Sequence, residues 1–425
     1  MARFTGIIGI IIILGLAFLW SNNRKAINLR LVITGLLLQL ALAIFILKVP
    51  VGQAIFAWLG KGINKLLDFS QEGGRFVFGD LMEVQNILPP QIVSGGVFLF
   101  ILIPTIIFVC VLVAMAYHVG LMQRVIAVLA RFVHWVMRVS GSEALSNVAS
   151  AFVGQVEAQI MIRPYLSGMT MSELLASMTG SMACIAGGVM AVYISMGVPA
   201  SYLLAASLMA APGALVISKI VFPETQESET KGKVKLDVKK EHANIMDAIS
   251  HGASDGMKIS INVIAMLIGV IALVALVDAL LGYFGLFLGW TGISLDFIGL
   301  DVNNLGLKDV FGAFFSLFAI VMGVPVSESF DVGSLMGTKM VINEFVAYSD
   351  LSPMIAQGTL SAKSIVIASF ALCGFANFSS IAIQLGGIGA MVPERKADLA
   401  RLGFKAMICG TMASYISASL AGILM

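Results

Sequence analysis

Phe152-Val153-Gly154-Gln155-Val156-Glu157-Ala158-Gln159-Ile160 sets a glycine, two amides and a carboxylate inside a chain that is otherwise mostly apolar. A charge at mid-membrane depth costs about 2.5–3.5 kcal/mol on insertion scales, so an acid kept there marks a working site. A second segment answers it: Gly323-Val324-Pro325-Val326-Ser327-Glu328-Ser329 again joins helix breakers to a carboxylate in an apolar setting. Two interrupted apolar segments in matching places of two halves point to the binding site of a transporter. The rest of the chain reads as the frame around these two.

That frame belongs in a bilayer. The 425 residues are 59% hydrophobic and 12% charged, where a soluble domain carries about 25% charged residues. The length leaves room for roughly ten spans of about 20 residues each. The net charge of +2 says nothing about nucleic acid, but with no basic tail or RNA-binding aromatic pattern no nucleic-acid partner is expected. Cys110, Cys184, Cys373 and Cys409 lie in apolar stretches without paired spacing, so they read as free thiols rather than a disulfide framework or metal site. The scattered histidines, His118, His134, His242 and His251, read as structural or surface residues. H-E-x-x-H, G-x-S-x-G and the Walker pattern are all missing, and Gly387-Ile388-Gly389 lacks the third glycine of a dinucleotide fingerprint. The chain is not expected to be an enzyme.

Residues 4–20 form a first span, retained because Arg24 and Lys25 follow the apolar run rather than precede it. Residues 31–47 form the second. Residues 51–78 put Phe56, Leu59, Ile63, Leu66 and Leu67 on one helical face with Lys61, Lys65 and Asp68 elsewhere, the pattern of a helix lying in the interface. Residues 97–116 span, and 121–139 form a second interfacial helix with Arg124, Arg131 and Arg138 on one face. Residues 140–160 are too polar to span and predict a re-entrant hairpin, tolerated only where it is buried in protein or lines a cavity. In the next span, 174–196, the small residues around Cys184–Gly188 allow either close helix approach or an unwound stretch. Residues 202–222 span. A charged loop over 223–247, with ten acidic or basic residues between Glu224 and Glu241, separates the halves. Beyond it come a span over 259–281, an interfacial stretch over 282–307, a second hairpin over 310–329, a helix ending near Tyr348, a broken span over 365–385 and a last span from 404.

The expected architecture is therefore an all-α integral membrane protein with about eight spans, two re-entrant hairpins and interfacial helices, arranged as inverted repeats. Its regions are a scaffold (1–120), a first transport half (121–222), a charged cytoplasmic loop (223–257) and a second half (258–425). Arg24, Lys25, Arg30, the arginines after the third span, the lysines of 231–240, and Arg395, Lys396, Arg401 and Lys405 all fall on one side of such an arrangement. The positive-inside rule then places that side in the cytoplasm and both termini outside. Hairpins entering from opposite faces bring Gln155, Glu157, Glu328, Asn377 and Ser380 together. That set offers amides, carboxylates and a hydroxyl without an arginine or lysine, which suits a neutral, hydroxyl-rich solute with an amide-edged base and not a phosphate.

Over nearly its full length the chain resembles the concentrative nucleoside transporter family. The resemblance is carried by Gly154-Gln155-Val156-Glu157-Ala158, by Gly337-Thr338-Lys339-Met340-Val341-Ile342-Asn343-Glu344-Phe345-Val346-Ala347-Tyr348, and by Ala371-Leu372-Cys373-Gly374-Phe375-Ala376-Asn377-Phe378-Ser379-Ser380. It implies a homotrimer in a bacterial inner membrane, importing nucleosides with sodium or protons as coupling ion and no other cofactor, by elevator-like movement of the hairpin-bearing domain. It implies base contacts from Gln155, Val156, Glu157, Val189 and Phe375, ribose contacts from Glu328, Asn377 and Ser380, and a sodium site at Ser150, Val153, Cys184 and Ile185. The sequence departs from the family pattern at Val156 and Gln159, where threonine and proline are usual, and at Ser150 and Cys184, where sodium-coupled members carry asparagine and serine. A nucleoside receptor without translocation and a proton-coupled carrier of another polyhydroxy solute are the alternatives, distinguished by accumulation against a gradient.

Overall fold

The computed structural model describes residues 5–82, 96–230, 243–291 and 305–425, and every regular element among them is helical. Helix α1 (Thr5–Leu19) and helix α2 (Leu29–Leu47) are the first two apolar rods, the second capped by Asn28, whose Oδ1 accepts from Leu31 N at 3.2 Å. Pro50 starts α3 (Pro50–Phe78), which buries Phe56 and Leu67 and leaves Lys61, Lys65 and Asp68 exposed. Helices α4 (Gly96–His118) and α5 (Leu121–Met137) meet at 75°. The corner is Gly120, at φ +80°, a conformation a side chain would resist. On α5 the apolar face of Ile126, Ala130, Val133 and Met137 is buried while Arg124 and Arg131 face outward.

The polar stretch around Gly154 breaks as its composition demands. Helix α6 (Gly141–Ser150) gives way to a non-helical turn over 151–156 and the short α7 (Glu157–Ile160). All ten residues of α6 are buried, and in its irregular continuation Ala151, Val153 and Gln155 are buried while Phe152, Gly154 and Val156 are partly so. This suits a bilayer, where such backbone must be covered by protein or line a cavity. Next, α8 (Met171–Ala183) and α9 (Gly187–Ser195) are the two parts of one interrupted rod, and the small residues between them make an unwound stretch. Helix α10 (Ala200–Val221) is almost wholly buried. After the charged loop, of which 231–242 lie outside the described residues, comes α11 (Ile245–Trp290).

The second half repeats the order hairpin, interrupted rod, buried rod. Helices α12 (Leu307–Met322) and α13 (Val326–Val341) fold back at 117° around Gly323 (φ +106°) and Pro325. Helix α14 (Glu344–Gln357) follows, then the interrupted pair α15 (Ala362–Leu372) and α16 (Phe378–Met391), and α17 (Lys396–Leu424). The core forms where α17 packs on α8, α10, α15 and α1. Gln39 of α2 ties two of these together, its Nε2 donating to Met209 O at 3.0 Å and to Ser417 Oγ at 3.1 Å.

Four expectations need correction. The span predicted over 259–281 is part of a 46-residue helix, about 70 Å long at 1.5 Å per residue. It contains no proline, and its Gly252 and Gly256 bring its backbone against Val111 and Ile107 of α4, which sustains it beyond the apolar run. The interfacial stretch expected over 282–307 is thus helix as far as Trp290, and 292–304 lie outside the described residues. The helix expected to end near Tyr348 stops at Val341 and restarts at Glu344, because Asn343 Oδ1 accepts from Val346 N at 2.9 Å and caps a new helix that ends at Gly358. The last rod begins at Lys396 rather than 404.

Candidate functional site

The two helix interruptions cross. Gly374, at φ +110°, lies so close to the end of α8 that a Cβ there would sit 2.5 Å from Ala183 O. Only glycine permits both that φ and that approach. Ending α15 at Leu372 strands carbonyls that the helix can no longer satisfy. Lys339, reaching from α13 and fully buried, donates to Ala371 O at 3.0 Å and Cys373 O at 3.3 Å. Ser414 of α17 adds a 2.7 Å bond to Cys373 O. A buried cation at the negative end of a helix is well placed electrostatically.

Beyond the interruption α16 is capped by Asn377, whose Oδ1 accepts from Ser380 N at 2.9 Å and from Ser379 Oγ at 2.7 Å. Its Nδ2 donates to Glu344 Oε2 at 2.9 Å, and Tyr193 of α9 donates to Glu344 Oε1 at 3.1 Å. Tyr193 in turn stacks on Tyr348, ring centroids 4.3 Å apart. Gln155, at the tip of the first hairpin, donates through Nε2 to Ser380 Oγ at 3.3 Å, and Gln384 Nε2 reaches Gln155 Oε1 at 3.5 Å. The constellation thus joins the first hairpin, α9, the start of α14 and the start of α16. It presents amides, a hydroxyl and one carboxylate, and the nearby Lys339 is spent on main-chain carbonyls.

Of the residues expected at the site, Gln155, Asn377 and Ser380 are brought together. Glu157 is exposed in the first turn of α7, its carboxylate folded back over Gly154. Val156 lies against Gly387, and Val189 and Phe375 are partly buried beside the two interruptions. Glu328 stands elsewhere. Its Oε2 accepts from Ser361 N at 3.1 Å and Ser361 Oγ at 2.9 Å, at the start of α15. The eleven residues of that helix hold it roughly 16 Å along the axis from the interruption. Glu344 is the carboxylate that meets Asn377. The sequence carries a signal for it, a buried acid directly after a helix-capping asparagine in an apolar run, but spacing alone does not say which acid faces inward.

The four positions expected to hold sodium make a poor set on their side-chain half. Ser150 Oγ donates to Ser146 O at 2.7 Å, and the Cys184 thiol points at Ser207 O, 3.6 Å away. Hard cations take oxygen ligands, and these two side chains offer a hydroxyl oxygen already paired with Ser181 Oγ at 3.0 Å and a sulfur. Val153 and Ile185 can contribute main-chain carbonyls only. Among the described residues no cluster of histidine, cysteine or acid could hold a metal.

At the far end of α10 a second polar knot ties the frame. Lys219 pairs with Glu143 of α6, donates to Ser172 Oγ of α8 at 2.9 Å and meets Glu224 Oε2 at 3.3 Å. Burial pushes the Glu224 carboxyl up, but the Lys219 ammonium and the Thr170 hydroxyl outweigh it and hold the group below its ordinary 4.5.

The chain matches three family descriptions: "Na+ dependent nucleoside transporter N-terminus" over residues 8–81, "Nucleoside recognition" over 99–200, and "Na+ dependent nucleoside transporter C-terminus" over 202–422. It is 41% identical to the uncharacterized transporter YutK of Bacillus subtilis, covering 98% of each chain. It is 36% identical to the nucleoside permease NupC of Helicobacter pylori, covering 98% of this chain and 96% of that one. Among solved structures it is similar to CNTnw in an inward-facing substrate-bound state, at 39% identity and TM-score 0.90, covering 100% of this chain and 98% of that one.

Proposed function

Because the chain belongs to the concentrative nucleoside transporter family, a family of multi-pass membrane transporters of nucleosides, we propose that it imports nucleosides across a bacterial inner membrane, working as a homotrimer driven by an ion gradient. The observation that carries the reading is the Gln155–Ser380–Asn377–Glu344 constellation at the crossing of the two interruptions. An amide pairs with the donor-and-acceptor edge of a base, while a carboxylate and an asparagine amide pair with adjacent sugar hydroxyls. Phe375 and Val189 supply apolar surface for the base. Val156, carrying no hydroxyl, leaves the base edge to Gln155 and Glu157.

Glu344 is assigned the sugar-binding role that the family resemblance gave to Glu328. Tyr193 and Asn377 hold its two oxygens and fix their direction, so the group is preorganised rather than ordered by each incoming solute. Glu328 is assigned to the tip of the second hairpin, where its bonds to Ser361 must break if that tip lifts. Alternating access then follows from the unit of α6–α9 and α12–α16 moving as a body across the membrane against the scaffold of α3, α4 and α11. The broad apolar surface of that scaffold, with Phe76 93% and Trp290 84% exposed in the single chain, suits lipid and neighbouring protomers.

The test is uptake into proteoliposomes of purine and pyrimidine nucleosides, under an inward sodium or an inward proton gradient at matched membrane potential. Accumulation above the external concentration with either ion supports the reading. Binding without accumulation under either gradient overturns it in favour of a receptor.

A further inference from the structure

Residue 159 is a glutamine, fully buried in α7 where it faces α8. Its Nε2 donates to Ser181 Oγ at 2.8 Å and to Ser177 O at 3.4 Å, and its Oε1 accepts from Ser177 Oγ at 2.6 Å. Ser181 Oγ is also 3.0 Å from Ser150 Oγ, and Ser150 gives its only hydroxyl hydrogen to Ser146 O at 2.7 Å. The hydrogen between the two serines must then be that of Ser181. The chain of bonds has one sense: Gln159 to Ser181, Ser181 to Ser150, Ser150 to Ser146.

We propose that this amide-and-hydroxyl chain seats the first hairpin on α8 in place of a metal cation, so that the seam closes without sodium. The oxygen of the same serine that would ligate sodium is already taken by the Ser181 hydrogen, with an amide N–H feeding in from behind Ser181. Donor hydrogens converging on the seam repel a cation for the same reason that they bind an oxygen. Cys184, with its thiol turned to Ser207 O, gives no oxygen. Asn147 Oδ1, a buried oxygen of the seam without a protein hydrogen bond, and the main-chain carbonyls of Val153 and Ile185 are left without a free hydroxyl at 150 or any side-chain oxygen at 184 to complete a shell. The main chain supports the same closure, with Gly187 N donating to Phe152 O at 3.0 Å and Ser207 Oγ to Ala151 O at 3.2 Å. Glutamine at 159 crosslinks the hairpin to the rod beside it with neutral groups.

The proposal concerns ion binding and does not depend on which solute is carried. Thermal unfolding of the full-length protein in detergent, without nucleoside, is followed as sodium chloride replaces choline chloride at constant ionic strength. An unchanged midpoint is expected, because a ligand stabilises only the state it binds; a saturable rise with sodium overturns the proposal. Gln159→Leu keeps the bulk and removes the bonds, and its midpoint is expected to fall equally in both salts. A Gln159→Leu protein as stable as the wild type overturns the seating role. Gln159→Glu puts a carboxylate oxygen beside Ser181, and its midpoint is expected to rise with sodium where that of the wild type does not. Loss of nucleoside binding in either salt would count against the transport reading and leave these midpoints standing.

Discussion

The two helix interruptions at the heart of the molecule are held in different ways. At 184–186 the main chain does most of the work: Cys184 N still reaches Gly180 O, Gly187 N finds Phe152 O, and no side chain caps α9. At 373–377 side chains from three other helices take over, Lys339 and Ser414 on the stranded carbonyls and Glu344 on the capping Asn377. A break closed by main chain depends on the hairpin that lies against it. A break closed by buried side chains is a fixed, preorganised polar surface, and there Gln155, Glu344, Asn377 and Ser380 meet.

If that contrast is right, the second interruption is far the more sensitive to substitution. Lys339→Met leaves two buried carbonyls with fewer donors, and each loss costs about 1–3 kcal/mol. It should lower unfolding stability in detergent by about 2–5 kcal/mol, the largest effect. Gly374→Ala combines an unfavourable φ with a clash on Ala183 O and should cost about 2–4 kcal/mol. Gly187→Ala is its control at the first interruption, where a Cβ would stand 3.0 Å from Phe152 O at an ordinary φ, and should cost under about 1 kcal/mol. Equal losses in the two glycine variants would erase the distinction.

Calorimetric nucleoside binding sharpens it further. Glu344→Gln weakens charge-assisted hydrogen bonds of about 1.5–3 kcal/mol each, so affinity should fall by roughly 10- to 100-fold. Glu328→Gln, far from the cluster, should change it by less than about threefold. The reverse order would return the sugar-binding role to Glu328. The smallest effect lies outside both interruptions, at Glu224. A carboxyl held below its ordinary 4.5 adds stability that is present above that pH and is lost as pH falls through the depressed folded value. Unfolding midpoints should therefore drop on acidification below about pH 4.5, and Glu224→Gln should flatten that limb.

The sequence by itself determined the class of molecule, because hydrophobic run lengths and charge placement answer directly to the bilayer. It also located both hairpins, since glycine, proline and polar residues cannot sit in an apolar rod without breaking it. Residues 140–160 and the interruption after Cys373 were legible for this reason. Which acid faces the centre was not. Glu328 and Glu344 both stand in apolar surroundings near helix starts, and only the fold-back of α13 against α12, with the capping turn at Asn343, turns one toward Ser361 and the other toward Asn377. The 46-residue α11 also exceeded what its apolar run announced, because its polar first turns are sustained by close packing on α4. Local composition decides where a chain must bend; which side chains then meet across hundreds of residues is decided by packing, and packing exists only in three dimensions.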